Sequence, residues 1–302
     1  MFNKQRAHLA CWCTLAALLL SLGSAGVATA ADPSAGRPCP RMFHFDAGKF
    51  TDPTRIDNRW LPLTPGTQLI LEGQANRGGG ASTHRVVFTV TDLTKVINGV
   101  RTVVVWDRDI NENQIVEREL AFFAQDDEGN VWNLGEYPEE FENGQFVGAP
   151  STWIAGLADA RPGIHMRATP KLGGPRYLQG WVPSIEFLDC AKVIRKGMDI
   201  CVPFGCFEDV LLTDEVSPLD RGGGHQRKYH APGVGIVQVG AVGDPEGETL
   251  ALIKLVQLSP ESLEVARERA CALDARGHRF SEVYSQTLPA EHDGQPCAAG
   301  AD

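Results

Sequence analysis

The sequence lacks most of the signatures that announce a known chemistry. It has no Gly-x-Ser-x-Gly elbow, so a hydrolase of the common α/β type has no support. No phosphate loop and no dinucleotide fingerprint appear, and Gly222-Gly223-Gly224 does not open a helix, so it reads as a flexible turn. No two cysteines form a C-x-x-C pair, and none sits beside histidines at zinc spacing, so no metal and no other cofactor is expected. No apolar run beyond residue 30 is long enough to cross a bilayer as a helix. There is no low-complexity linker and no internal repeat. Positive charge is scarce: 28 Lys and Arg stand against 38 Asp and Glu, for a formal net charge of −10. That balance argues against nucleic acid or an anionic membrane surface as the main partner.

Residues 1–30 read as a secretory signal. Lys4 and Arg6 form its positive start, Leu15 to Leu22 its apolar stretch, and Ala28-Thr29-Ala30 its small-residue cleavage site. Without that segment, 26 basic residues remain against 38 acidic ones, and the net charge is about −12. The protein is expected to be exported, periplasmic or extracellular, and soluble, with no transmembrane segment in its mature form. Cys11 and Cys13 precede the apolar stretch, so a lipidated cysteine is not expected. Six cysteines follow the signal: Cys39, Cys190, Cys201, Cys206, Cys271 and Cys297. An even number in an exported chain points to disulfides. Six cysteines allow 15 pairings. Cys201 and Cys206 flank Val-Pro-Phe-Gly, a tight turn, so one of them is expected to pair with nearby Cys190, and Cys39 and Cys297 could tie the chain ends.

Strand patterns dominate the rest. Residues 31–57 form an irregular lead broken by prolines. Residues 58–258 read as one β domain. The prolines of Asn58-Arg59-Trp60-Leu61-Pro62-Leu63-Thr64-Pro65-Gly66-Thr67 forbid a helix or central strand, and its apolar residues suggest a plug at the end of a sheet. His84–Asp92 is a β-branched strand, Asn98-Gly99 a hairpin turn, and Val100–Asp109 the returning strand. Asn111 to Asn113 turns the chain again. Residues 145–176 carry several Pro and Gly and read as a lid-like insertion. Strands resume from Tyr177 to Leu188. A hairpin turning at Lys196-Gly197 comes next, then Phe207–Glu215, Gln226–His230, Ile236–Val239 and Thr249–Gln257. In the C-terminal part, 259–302, Ser259 is an N-cap, Pro260 takes the first helical position, and a helix ends near Gly277. The expected fold is mainly β: an antiparallel meander forming an open or closed barrel-like sheet, with one C-terminal helix.

Three motifs carry a resemblance: the stretch from Asn58 to Thr67, Ala124-Gln125-Asp126-Asp127-Glu128-Gly129-Asn130-Val131-Trp132-Asn133-Leu134-Gly135-Glu136, and Tyr229-His230-Ala231-Pro232-Gly233-Val234-Gly235. Over residues 55–258 the chain resembles a family of uncharacterised secreted bacterial proteins that open with Trp-x-Pro-Leu-x-Pro-Gly and close with Ala-Pro-Gly-Val-Gly. The resemblance implies no activity and no catalytic residue.

The hairpin from Glu117 to Glu136 is the clearest local signal. With a four-residue turn at Asp126–Gly129, Phe123 faces Trp132 and Glu119 faces Glu136. A preceding turn at Glu112-Asn113 sets Arg108 against Glu117 and Trp106 against Glu119. One face would then hold Trp106, Arg108, Glu117, Glu119, Phe123, Trp132 and Glu136. That mixture of aromatics and facing carboxylates supports three readings. It is a solvated sheet face where Arg108 pairs the glutamates, or the lining of a ligand cavity, or a carboxylate pair for acid–base work or a hard cation. Asp107, Asp109, Asn111 and Glu117 resemble a calcium loop in composition only, since its glycine is missing. The preferred function is binding of an apolar or amphipathic small molecule in the sheet's concavity. A carboxylate-dependent enzyme and a structural module of the envelope are the alternatives. No oligomeric state can be read from the sequence.

Overall fold

The structure, a computed structural model, describes residues 39–76, 80–220 and 222–297. The segment 1–30 read as a signal lies outside the described residues, as do 31–38 of the lead, Gly78-Gly79 and the tail beyond 297.

Five long strands come first: β1 (Thr67–Asn76), β2 (Ala81–Ile97), β3 (Val100–Asn111), β4 (Gln114–Gln125) and β5 (Val131–Glu142). Runs such as Val86-Val87-Phe88-Thr89-Val90 favour the pleated conformation, and their side chains pack on both faces. The β2–β3 and β3–β4 turns are two residues each. Asn98 and Gly99 have φ of 49° and 80°, Glu112 and Asn113 of 49° and 65°. Positive φ at both positions matches the twist of the flanking strands. Along the far edge of β5 lie β6 (Gln145–Gly148), β7 (Trp153–Ile154) and β8 (Arg161–Met166). The wall continues through β9 (Tyr177–Val182), β10 (Phe187–Val202), β11 (Gly205–Val216), β12 (His225–Ala231), β13 (Gly235–Val242) and β14 (Thr249–Gln257). β14 pairs with β1, and β1 pairs with β2, so the sheet closes into a 12-strand antiparallel barrel.

Outside the barrel lies α1 (Pro260–Phe280), the single α-helix among the described residues, capped by Ser259, whose Oγ accepts from Ser262 N. Ala266, Ala270, Leu273 and Asp274 face the barrel. Asp274 receives Lys95 Nζ at 2.8 Å and the Tyr284 hydroxyl at 2.7 Å, all three side chains being buried. A short hairpin, β15 (Glu291–His292) and β16 (Gln295–Pro296), adds to β2.

The proline-rich segment crosses one end of the barrel. Trp60, Leu61 and Leu63 are buried there against inward residues such as Leu69, Phe88 and Ile236. Asn58 Nδ2 donates to the Gly129 carbonyl at 2.8 Å, and Gly233 N donates to the Arg59 carbonyl at 2.7 Å. The three resemblance motifs, far apart in sequence, therefore meet at this end.

Several expectations change. The disulfides are Cys39–Cys190, Cys201–Cys206 and Cys271–Cys297. Neither Cys201 nor Cys206 reaches Cys190, because they face each other across the tip of the β10–β11 hairpin. Cys39 does not meet Cys297; the lead pairs with β9 at Tyr177 and thus lies beside Cys190. Lys196-Gly197 is not a turn: β10 runs through it, and Gly197, at φ 67°, sits within a series of register shifts. The stretch 145–176 is not wholly a lid, since β8 is part of the wall. The helix runs three residues past Gly277, to Phe280.

Candidate functional site

Residues directly opposed in an antiparallel pair share a face, so register carries a facing from strand to strand. One row runs Leu69, Phe88, Asp107, Glu119 across β1 to β4. The next runs Val90, Val105, Ala121, Glu136, Trp153 across β2 to β5 and β7. A third runs Leu71, Val86, Asp109, Glu117. These rows face the interior. The rows between them face outward under α1. There Trp106 is level with Leu120 and Tyr137, and Tyr137 meets the Tyr284 ring at 4.8 Å. Arg108 is level with Arg118 and Glu139, and Glu139 receives Arg276 Nε of α1 at 2.7 Å.

The expected seven-residue face is therefore divided. Glu117, Glu119, Phe123 and Glu136 point inward, while Trp106, Arg108 and Trp132 point outward. One bulge and one longer loop cause this. The Glu112-Asn113 turn stands where the sequence placed it, but Val116 is an extra residue in β4 and shifts every later pair by one. Asp107, not Trp106, then faces Glu119, and Asp109 faces Glu117. In the second hairpin the loop has five residues, because the Asp126 carboxylate gathers Glu128 N, Asn130 N and Trp132 Nε1. Trp132 therefore lies opposite Ala124 and not Phe123, while Leu134, an extra residue in β5, returns Glu136 to the face of Glu119, with Glu136 opposite Ala121 and Glu119 opposite Pro138. Such a one-residue slip inverts a strand's faces. Arg108 does not pair the glutamates; its guanidinium lies 4.3 Å from the centre of the Trp106 ring. Trp132 anchors the lead, packing edge-on against Phe45 at 5.5 Å.

The interior is divided along the barrel axis. Toward the plugged end it is apolar, with Val103, Val105, Phe123, Val131 and Met166. Toward the other end it is ionic. His84 Nε2 lies 2.7 Å from Glu248 and its Nδ1 3.1 Å from Asp109. Burial would push this imidazole down, but hydrogen bonds and charge from Asp109 and Glu248 outweigh it and carry it up to about 9. Across the barrel, Lys228 Nζ lies 2.5 Å from Glu215. Burial opposes ionisation of Glu215, but the lysine charge prevails and holds the carboxyl at about 2.

Asp107 and Glu119 differ from these pairs. They are 5 % and 4 % exposed, and Asp107 Oδ1 and Glu119 Oε1 have no hydrogen-bond partner among the described residues. Burial, then the charges of Asp109 and Glu117, pushes Asp107 up to about 7. Burial, then the charge of Glu136, holds Glu119 well above the usual carboxylate range. Glu136 itself accepts from Asn133 Nδ2 at 2.6 Å and from Trp153 Nε1 at 3.1 Å, contacts that favour its ionised form. The Trp153 ring stacks on Phe187 at 5.5 Å. Gly180 lies beneath both, and a Cβ there would stand 2.8 Å from the Phe187 ring. His165, at the bulge where β8 meets β5, sets its ring 5.3 Å from Phe123. It too is buried, its Nε2 has no partner among the described residues, and burial holds it well below the ordinary histidine range.

The alternation of β4 alone brings Glu117, Glu119 and Phe123 to one face. Asp107, His84, Trp153, His165, Glu215 and Lys228 come from strands whose facing depends on closure. The one available signal was the acidic spacing Asp107-x-Asp109 beside Glu117-x-Glu119. Among the described residues no group of three or more His, Cys, Asp or Glu is placed to hold a metal ion.

No protein-family model matches the chain, and no curated protein matches it at a significant level. Among solved structures, it is similar to a protein described as exported, with a YMCC-like fold, from Bacteroides fragilis NCTC 9343, at 11 % identity. It is also similar to a protein described as a lipoprotein from Parabacteroides distasonis ATCC 8503, at 13 % identity. Each comparison covers 66 % of this chain and 99 % of the other, with a TM-score of 0.35. Likeness at that level carries no functional argument. Residues from the lead to the C-terminal hairpin form three disulfides, which suit an oxidising compartment.

Proposed function

We propose that the protein is a periplasmic or extracellular binding protein that encloses an amphipathic small molecule within its barrel. The observation that carries this reading is the pair Asp107 and Glu119. Two carboxyl groups, directly opposed inside a closed barrel, each keep a buried oxygen with no partner among the described residues. A fold does not retain such groups for stability, because a buried unsatisfied polar atom costs about 1–3 kcal/mol. Twelve strands also exceed the roughly eight whose interior side chains alone fill. The apolar residues beside these carboxyls, Phe88 and Val105 among them, supply the wall for the ligand's apolar part.

The test is native mass spectrometry of protein purified under mild conditions from its own host. The expected spectrum shows the polypeptide with an added small-molecule mass that is released on unfolding. A spectrum of the bare polypeptide, with no rise in melting temperature on adding a host extract, overturns the reading. One observation favours a second reading, a carboxylate acid–base centre. Glu119 is held toward its protonated form while donors favour an ionised Glu136, and such divergence suits acid–base roles. A retained molecule that is chemically altered on incubation with fresh protein would mark that case.

A further inference from the structure

Binding inside the barrel leaves open what the ligand's polar end is. We infer that it is an organic cation, an ammonium group on an apolar body, seated between Asp107 and Glu119 and against the Trp153–Phe187 aromatic pair. This rests on the binding reading, and four observations specify the charge.

First, the two unsatisfied oxygens are carboxyl oxygens on neighbouring strands, Asp107 directly opposite Glu119. An anionic group there would add like charge to a low-dielectric site already holding two carboxyl groups. Second, the basic side chains nearest by register are already engaged. His84 lies between Asp109 and Glu248, and Lys228 lies against Glu215. Arg108, next to Asp107 in sequence, points outward over Trp106. Third, an independent group points the same way. The His165 ring stands against the inward Phe123, and its buried Nε2 lacks a partner among the described residues. With its proton on Nδ1, the neutral imidazole accepts at Nε2 from an N–H donor. Fourth, Trp153 is opposite Glu136 on the inward row and stacks on Phe187. Aromatic faces beside carboxylates suit an organic cation, whose charge the ring quadrupole also attracts. An inorganic ion fits less well, since no metal-holding group of three carboxylate, histidine or cysteine side chains occurs among the described residues.

The experiment compares three probes that share a chain and differ in head group: octylamine, octanoate and octanol. Each is titrated by calorimetry at pH 7.5 into the full mature protein and into Glu119→Gln and Asp107→Asn. These variants keep shape and cannot ionise to meet a bound cation, and thermal unfolding checks that they fold. Octylamine is expected to bind the unaltered protein at least 10-fold more tightly than octanoate. Each variant is expected to lose 10-fold or more for octylamine while changing octanol binding less than 3-fold. Octanoate or octanol binding as well as octylamine overturns the charge assignment and leaves the binding reading standing. So does undiminished octylamine binding by folded Glu119→Gln and Asp107→Asn. If no probe binds and host-purified protein carries no added mass, both readings fail.

Discussion

His84 sits on β2 with its ring between Asp109 of β3 and Glu248, just before β14. The imidazolium thereby ties together two stretches of chain more than 130 residues apart in sequence. Its pKa, about 9, lies above the unfolded value of roughly 6.5. A group raised in this way stabilises the fold fully below the unfolded pKa, and its contribution disappears as pH rises through the folded one. The urea midpoint of the protein should therefore fall between pH 6.5 and 9.5, and the fall should be shallower in His84→Gln. The substitution should itself cost about 3–5 kcal/mol at pH 6.5, because it leaves two buried carboxylates facing a neutral amide. Equal pH slopes in the two proteins would show that another group sets the dependence. None of this was legible in the sequence. Residue 84 is one histidine at a strand start, and its partners are fixed by pairing with β3 and by barrel closure.

Elements were read more successfully than their faces. Ser259 and Pro260 marked the start of α1, and the spacing of Ala266, Ala270 and Leu273 marked its buried stripe. Hidden was Asp274, a charged residue on that stripe, because its partner Lys95 is 179 positions away. Lys95 also donates to the Leu288 carbonyl at 2.6 Å, and Asp274 accepts from Ala290 N at 3.1 Å. The ion pair thus docks both the helix and the chain beyond it. Lys95→Met alone should cost about 3–5 kcal/mol by stranding the carboxylate. A double-mutant cycle with Asp274→Asn should return a coupling of about 1–3 kcal/mol. Additive effects in urea denaturation would show that the helix docks by apolar contacts alone. The β hairpins show the same division. The turns of the β3–β4–β5 unit lie near their expected places, yet Val116 inverts the facing of β4 against β3, the second loop's extra residue parts Trp132 from Phe123, and Leu134 then returns Glu136 to the face of Glu119. A bulge alters few local contacts and has no fixed composition, so periodicity cannot reveal it.

The described molecule is a ring of strands to which one long-range disulfide ties the lead. Cys39–Cys190 spans 151 residues, Cys271–Cys297 spans 26 and Cys201–Cys206 spans 5. If cross-links act mainly on the unfolded chain, their contributions should rank in that order, at about 5, 3–4 and 2 kcal/mol. Thermal unfolding of the three paired Cys→Ser variants checks the ranking, and a largest loss at Cys201–Cys206 would contradict it. From the sequence alone came the export signal as an expectation, the oxidised cysteines, the strand-rich meander, the capped helix and the acidic character. These rest on composition and on signals a few residues long. Tertiary structure alone decided that the sheet closes, which cysteines pair, and which face of each strand lines the interior. Closure and disulfide pairing join segments separated by up to 190 residues, as β1 is from β14. The facing of a side chain is a running parity that each bulge reverses. The expected cluster of seven thus became an inward set of Glu117, Glu119, Phe123 and Glu136, joined by Asp107, Trp153 and His165. Trp106, Arg108 and Trp132 went to the outer surface, and only the complete register could have separated the two groups.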